Sequence, residues 1–184
     1  MDYGAELLGY LEDKAKLCDW TRMNGGKALY GSYEDLVVAH GTLYTDVATR
    51  LPKGMRWGGQ QKCFRNAYER AAHHGYLYVE GFAASIGCCF AAHHAWLVDG
   101  NGTVIDPTPN WRGVGAAYMG IAFNLEYVRE VIVARGIYGV LDNYQQNHPL
   151  LKRSGEIERA KVERGLSASQ CPLLGSSFAL APLG

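Results

Sequence analysis

Gly58-Gly59-Gln60-Gln61-Lys62-Cys63-Phe64 and, further on, His94-Ala95-Trp96-Leu97-Val98-Asp99-Gly100-Asn101-Gly102-Thr103-Val104-Ile105-Asp106-Pro107-Thr108 are the stretches on which the reading of this chain turns. After the two glycines, residues 63–74 repeat with a helical period. Phe64, Ala67, Tyr68, Ala71 and Ala72 form an apolar stripe, and Arg65, Asn66, Glu69 and Arg70 form the other face. Gly75 follows as the helix C-cap. The pattern then changes to strand-length pieces rich in β-branched, aromatic and small residues, at residues 76–84, 89–98 and 103–105. The central stretch predicts an α+β fold: a helix headed by Cys63, packed on an antiparallel β-sheet.

The flanks add helices at both ends. Residues 3–18 carry Leu7, Leu8, Leu11, Ala15 and Cys18 on one stripe. Ser32 with Asp35 three positions on reads as the capped start of a second helix. Residues 43–51 are expected to extend it into a helical hairpin that Pro52 ends. Residues 118–123 predict another strand, and Asn124 caps a helix running to Gly136. Residues 154–165 have acids early and bases late, which suits an exposed helix and its dipole. From residue 165 to 184 there is no charged side chain, and that tail is expected to be mobile. The expected organisation is a single domain over residues 1–150, then a C-terminal helix and tail over 151–184.

Composition narrows the function classes. A chain of 184 residues with 48% hydrophobic side chains can bury a core of its own. Eighteen basic residues balance eighteen acidic ones, so nothing favours nucleic acid or an anionic membrane as a partner. No run of apolar residues is long enough to span a bilayer. The first residues lack the pattern of a secretory signal. Five cysteines without framework spacing indicate free thiols, and hence a reducing, cytoplasmic setting. No cofactor and no metal are expected.

A thiol becomes a good nucleophile when it is deprotonated, and a helix N-terminus favours the thiolate through partial positive charge and unpaired N–H groups. Cys63 is the cysteine placed at such a start, behind a glycine-rich loop. The ordinary alternative is a small buried apolar residue. The same helix start offers the Cys63 N–H to an oxyanion, with Gln60 or Gln61 as a side-chain donor. His93 and His94 alternate to opposite sheet faces, so only one of them can meet Cys63. Asp106 is the group that can orient a ring at His94. If Gly100-Asn101-Gly102 is a three-residue turn with Gly102 left-handed, Asp99 faces Thr103 and Trp96 faces Asp106. Asp106 is then the diagonal neighbour of His94 on one face. A two-residue turn reverses the parity and separates them.

Cysteine at a helix start, His94-Ala95-Trp96 in a strand and Val104-Ile105-Asp106-Pro107-Thr108 in the next resemble the transglutaminase-like branch of the papain-like cysteine enzymes. The resemblance spans residues 57–110. It implies Cys63 as nucleophile, His94 as general base and then acid, and Asp106 as the orienter of the ring, on a papain-like core. It therefore implies a thiol hydrolase or acyltransferase acting on a peptide or amide bond, with a peptidase or amidase favoured. Residues 60–62 do not reproduce an oxyanion motif of that family, which leaves Trp57 and Trp96 as further pocket candidates. Two other classes compete. One is a catalytically inactive binding module that keeps the fold. The other is a zinc protein using Cys88, Cys89, His93 and His94 with His73 and His74, although no C-x2-C or H-x3-H spacing occurs.

Overall fold

The computed structural model describes residues 2–17, 25–87 and 90–162. Expectations for Cys18, Cys88, Cys89 and the 163–184 tail lie outside these residues. The described chain runs α1 (Tyr3–Leu17), α2 (Tyr33–His40), β1 (Thr42–Tyr44), α3 (Cys63–His74), β2 (Leu77–Ser85), β3 (Ala91–Val98), β4 (Val104–Ile105) and a 3-10 turn (Pro109–Trp111). It continues with β5 (Gly115–Phe123), α4 (Leu125–Arg135), a second 3-10 turn (Tyr144–Gln146), α5 (Pro149–Lys152) and α6 (Glu156–Ala160). This is an α+β architecture. The strands form one antiparallel sheet in the order β1-β5-β2-β3-β4. No helix among the described residues is long and apolar enough to cross a membrane.

Strand alternation divides the core in two. On the first face Tyr78, Phe82, Ala95, Leu97, Met119 and Ile121 pack in one cluster with Leu7 and Leu11 of α1, Leu36 and Val37 of α2, Ala67 and Ala71 of α3, and Val128 and Ile132 of α4. The second face holds a smaller cluster of Val79, Ala83, Trp96, Val98, Val104 and Tyr118, with Trp111 and Val47 against it. The helices therefore cover the first face, and loops cover the second. A pair of glycines meets in the middle of the second face, Gly81 opposite Gly120, with His94 across from Gly81 on the other side. A Cβ on Gly120 would lie 2.6 Å from the tip of the Trp96 indole and from the Glu80 carbonyl oxygen. The missing side chain is what lets the tip of the indole come this close to β5.

Local signals account for most boundaries. The Ser32 hydroxyl accepts the Asp35 N–H at 3.2 Å to cap α2. The Asn124 side chain accepts the Glu126 N–H at 2.8 Å to cap α4. Gly75 and Gly136 end α3 and α4 in the left-handed conformation. Two expectations fail. Residues 43–51 do not extend a helix: Gly41 ends α2, with its N–H on the Val37 carbonyl, and Thr42-Leu43-Tyr44 pairs with Gly120-Met119-Tyr118 as an edge strand. A Cβ on Gly41 would meet the carbonyl oxygens of Val37 and Gly120, so the chain passes too close to the sheet for another helical turn. The helix expected over residues 154–165 is shorter, because Lys161 and Val162 pair instead with Phe123 and Ala122 of β5.

Gly120→Ala is expected to destabilise the fold by about 1–3 kcal/mol, because the new methyl must displace Trp96 or the backbone of β2. A lowered midpoint of denaturant unfolding, with unchanged slope, checks this.

Candidate active site

The turn between β3 and β4 has the odd count that the site requires. Leu97 pairs with Ile105 and Val98 with Val104. The Asp99 N–H bonds the Thr103 carbonyl, and Gly102 has φ +87°. The Asp99 carboxylate holds the turn by accepting the N–H groups of Asn101 and Thr103, each at 2.9 Å. Continuing that register sets Trp96 opposite Asp106. His94 and Asp106 meet, with His94 Nε2 2.7 Å from Asp106 Oδ2. Both are buried, His94 to 2% exposure and Asp106 to 8%.

Asp106 is held by two further donors. The Thr108 N–H donates to Oδ1 at 2.9 Å, and the Tyr118 hydroxyl donates to Oδ2 at 3.1 Å. Tyr118 reads in the sequence as an ordinary core residue, and nothing in the sequence separates that role from this one. Rings enclose the imidazole. Trp111 lies against it at 4.5 Å between centroids, Trp96 stacks at 6.3 Å, and Tyr118 lies at 6.2 Å. Trp96 is fully buried, so it supports the ring from beneath and does not line an open pocket.

Cys63, at the start of α3, is the other side chain that interacts with this ring. The body of α3 packs on the first face, but β4 is only two residues long. Past it, the loop leading to Cys63 is tied to the same chain edge by the Gly58 N–H on the Pro107 carbonyl at 2.9 Å. Asn66, on the second turn of α3, completes the tie. Its side chain donates to the Gly59 carbonyl at 2.7 Å and accepts the Gly59 N–H at 3.0 Å. Asn66 is buried, against the expectation that it lies on the polar face, because those two bonds draw it inward. Gly58 leaves it room: a Cβ there would lie 2.1 Å from Asn66 Oδ1. With Nε2 on Asp106, Nδ1 is the nitrogen that His94 has left for Cys63.

The electrostatics follow. Burial alone pushes the His94 pKa down. Hydrogen bonding by Asp106 and by Cys63, with the charges of both, outweighs it and raises the pKa from 6.5 to about 9. His93 behaves in the opposite way. It points to the first face, against Phe64 and Phe82, and burial pushes its pKa down to about 4. Its Nε2 has no hydrogen-bond partner. The adjacent histidines are therefore separated by face and by charge. Among the described residues no group of three His, Cys, Asp or Glu side chains could hold a metal ion, and Cys88 and Cys89 lie outside them.

Gln60 and Gln61 are exposed, with Gln61 left-handed at φ +57°. Lys62 precedes α3 without a side-chain cap, and no acidic residue occupies the first turn, so no side chain of that turn competes for its N–H groups. Trp57, 37% exposed, lies under the Arg112 guanidinium at 5.5 Å. Glu80 stands in the middle of β2 and is fully buried. It accepts N–H groups of Val140 at 2.8 and 3.0 Å and of Leu141 at 2.8 Å. Burial nevertheless raises its pKa to about 7. No protein-family model, curated protein or solved structure matches the chain.

Because the His94 pKa is raised, the stability its charged ring contributes is complete below about pH 6.5 and is lost as pH rises through about 9. Asp106→Asn removes the charge and is expected to lower the His94 pKa. NMR titration of the ring protons, assigned with a His94→Gln control, measures that shift apart from the Glu80 titration.

Proposed function

We propose that the protein is a cysteine-nucleophile hydrolase or acyltransferase acting on a peptide or amide bond through Cys63, His94 and Asp106, on a papain-like, transglutaminase-like core. The observation that carries this reading is the His94 ring, buried and held by Asp106 through one nitrogen, with Cys63 as its other polar neighbour. A ring kept charged beside a cysteine favours the thiolate. Asp106, fixed by Thr108 and Tyr118, orients the ring and compensates its charge.

In the reaction the Cys63 thiolate adds to the carbonyl carbon. The tetrahedral oxyanion is received by the uncapped N–H groups at the start of α3, with Gln60 or Gln61 as a side-chain donor. The His94 imidazolium protonates the leaving amine as the C–N bond breaks, which leaves a thioester on Cys63 and a neutral ring. Water, deprotonated by His94, then releases the acid and regenerates the thiolate. An amine in place of water yields a new amide, and a glutamine side chain as donor with water as acceptor is a deamidation. Hydrolysis of a peptide or amide is the favoured outcome.

Whole-protein mass spectrometry after incubation with candidate peptides or a lysate tests the reading. The wild type is expected to carry a covalent acyl adduct that hydroxylamine removes, and Cys63→Ala to carry none. Turnover is expected to fall by about a thousandfold or more in Cys63→Ala and in His94→Gln. An adduct unaffected by Cys63→Ala, or turnover insensitive to both changes, contradicts the reading.

A further inference from the structure

The chain is neutral overall, but its charges are not evenly spread. Arg50, Lys53, Arg56, Lys62 and Arg65 fall between Asp46 and Glu69 with no acidic residue among them. This segment contains the loop and helix start that deliver Cys63. No acidic residue occurs between Asp106 and Glu126 either, and Arg112 lies in that interval. The acidic member of the site itself, Asp106, is buried and already engaged by His94, Thr108 and Tyr118.

These bases are not equivalent. Arg65 is neutralised by Glu69 at 2.7 Å. Arg70 is committed to the backbone, donating to the carbonyls of Arg56 and Asn66. Arg56, Lys62 and Arg112 are exposed and have no carboxylate within ion-pair distance among the described residues. Lys62 immediately precedes Cys63, and its aliphatic stem lies over Gly59, 3.1 Å from where a Cβ would stand. Arg112 immediately follows Trp111, the ring against His94. Its guanidinium rests on the face of Trp57. That contact joins the two walls beside the nucleophile, the loop before Cys63 and the turn after Asp106. A guanidinium braced on an indole keeps its donor edge free and loses little freedom when it binds a carboxylate.

We propose that this rim selects an acidic acyl donor: a peptide with a carboxylate near the scissile bond, received by Arg112 on Trp57 with Lys62 and Arg56 adding long-range attraction. The proposal rests on the reading of Cys63 as nucleophile and names the substrate class for that site. Arg112 is a specificity residue here and takes no part in the proton transfers.

The test uses three matched peptides with Glu, Gln or Lys beside the cleavable bond, in the full chain, with two separate readouts. Binding is measured by fluorescence anisotropy to Cys63→Ala, and turnover is measured with the wild type. The Glu peptide is expected to bind about tenfold tighter than the Gln peptide at low salt, with the preference shrinking as salt is added. Arg112→Gln in the same background is expected to remove most of that preference. Arg112→Glu is expected to turn it toward the Lys peptide, while Arg65→Gln leaves it in place. Equal binding of the three peptides, or none by any, overturns the proposal. Acidic preference in binding without turnover by the wild type upholds the partner class and overturns the hydrolytic reading. Turnover without charge preference does the reverse.

Discussion

The hydrogen bond between His94 Nε2 and Asp106 Oδ2 is the constraint that the second face of the sheet is built around. A carboxylate and an imidazole removed from water each cost several kcal/mol unless their polar atoms find partners. Here the carboxylate has the ring, the Thr108 N–H and the Tyr118 hydroxyl. The ring has the carboxylate on one nitrogen and Cys63 on the side left over. Gly81 and Gly120 clear the floor of that face, Trp96 lies on it, and Trp111 closes over the imidazole. Each of these choices keeps water from the pair and keeps the ring from turning.

A second buried carboxylate sits on the opposite face and does different work. Glu80 faces away from His94 and accepts backbone N–H groups from Val140 and Leu141. It pins the segment after α4 beside Phe64, the residue following Cys63: a Cβ on Gly139 would touch both Phe64 and the Glu80 carboxylate. Glu80 also accepts the Tyr78 hydroxyl at 3.4 Å, and burial raises its pKa to about 7. One carboxylate thus polarises a histidine, and the other positions a loop against the helix that carries the cysteine.

Much of this was legible in the residues, because the relevant signals are local. The α3 boundaries follow from its period and Gly75, and the meeting of His94 with Asp106 follows from one turn count at Gly100-Asn101-Gly102. What was not legible depends on distant partners. Asn66 looks like a surface residue until Gly59 is folded back on it, and Tyr118 looks like core until Asp106 lies under its hydroxyl. Thr42-Leu43-Tyr44 becomes a strand only because β5 presents an unpaired edge. Trp96 reads as a pocket wall when its place above Gly120 is unknown. Side chains read correctly where near neighbours decide their place, and incorrectly where long-range contacts do.

The proposal at the centre is that His94, held by Asp106, assists Cys63 as a nucleophile. The most direct measurement is the rate of Cys63 alkylation by iodoacetamide between pH 4 and 10, followed by peptide mass spectrometry so that each cysteine is counted separately. Cys63 is expected to react faster than each of the other cysteines. His94→Gln is expected to bring its rate down to theirs. A Cys63 rate equal to theirs in the wild type, and unchanged in His94→Gln, would contradict the proposal.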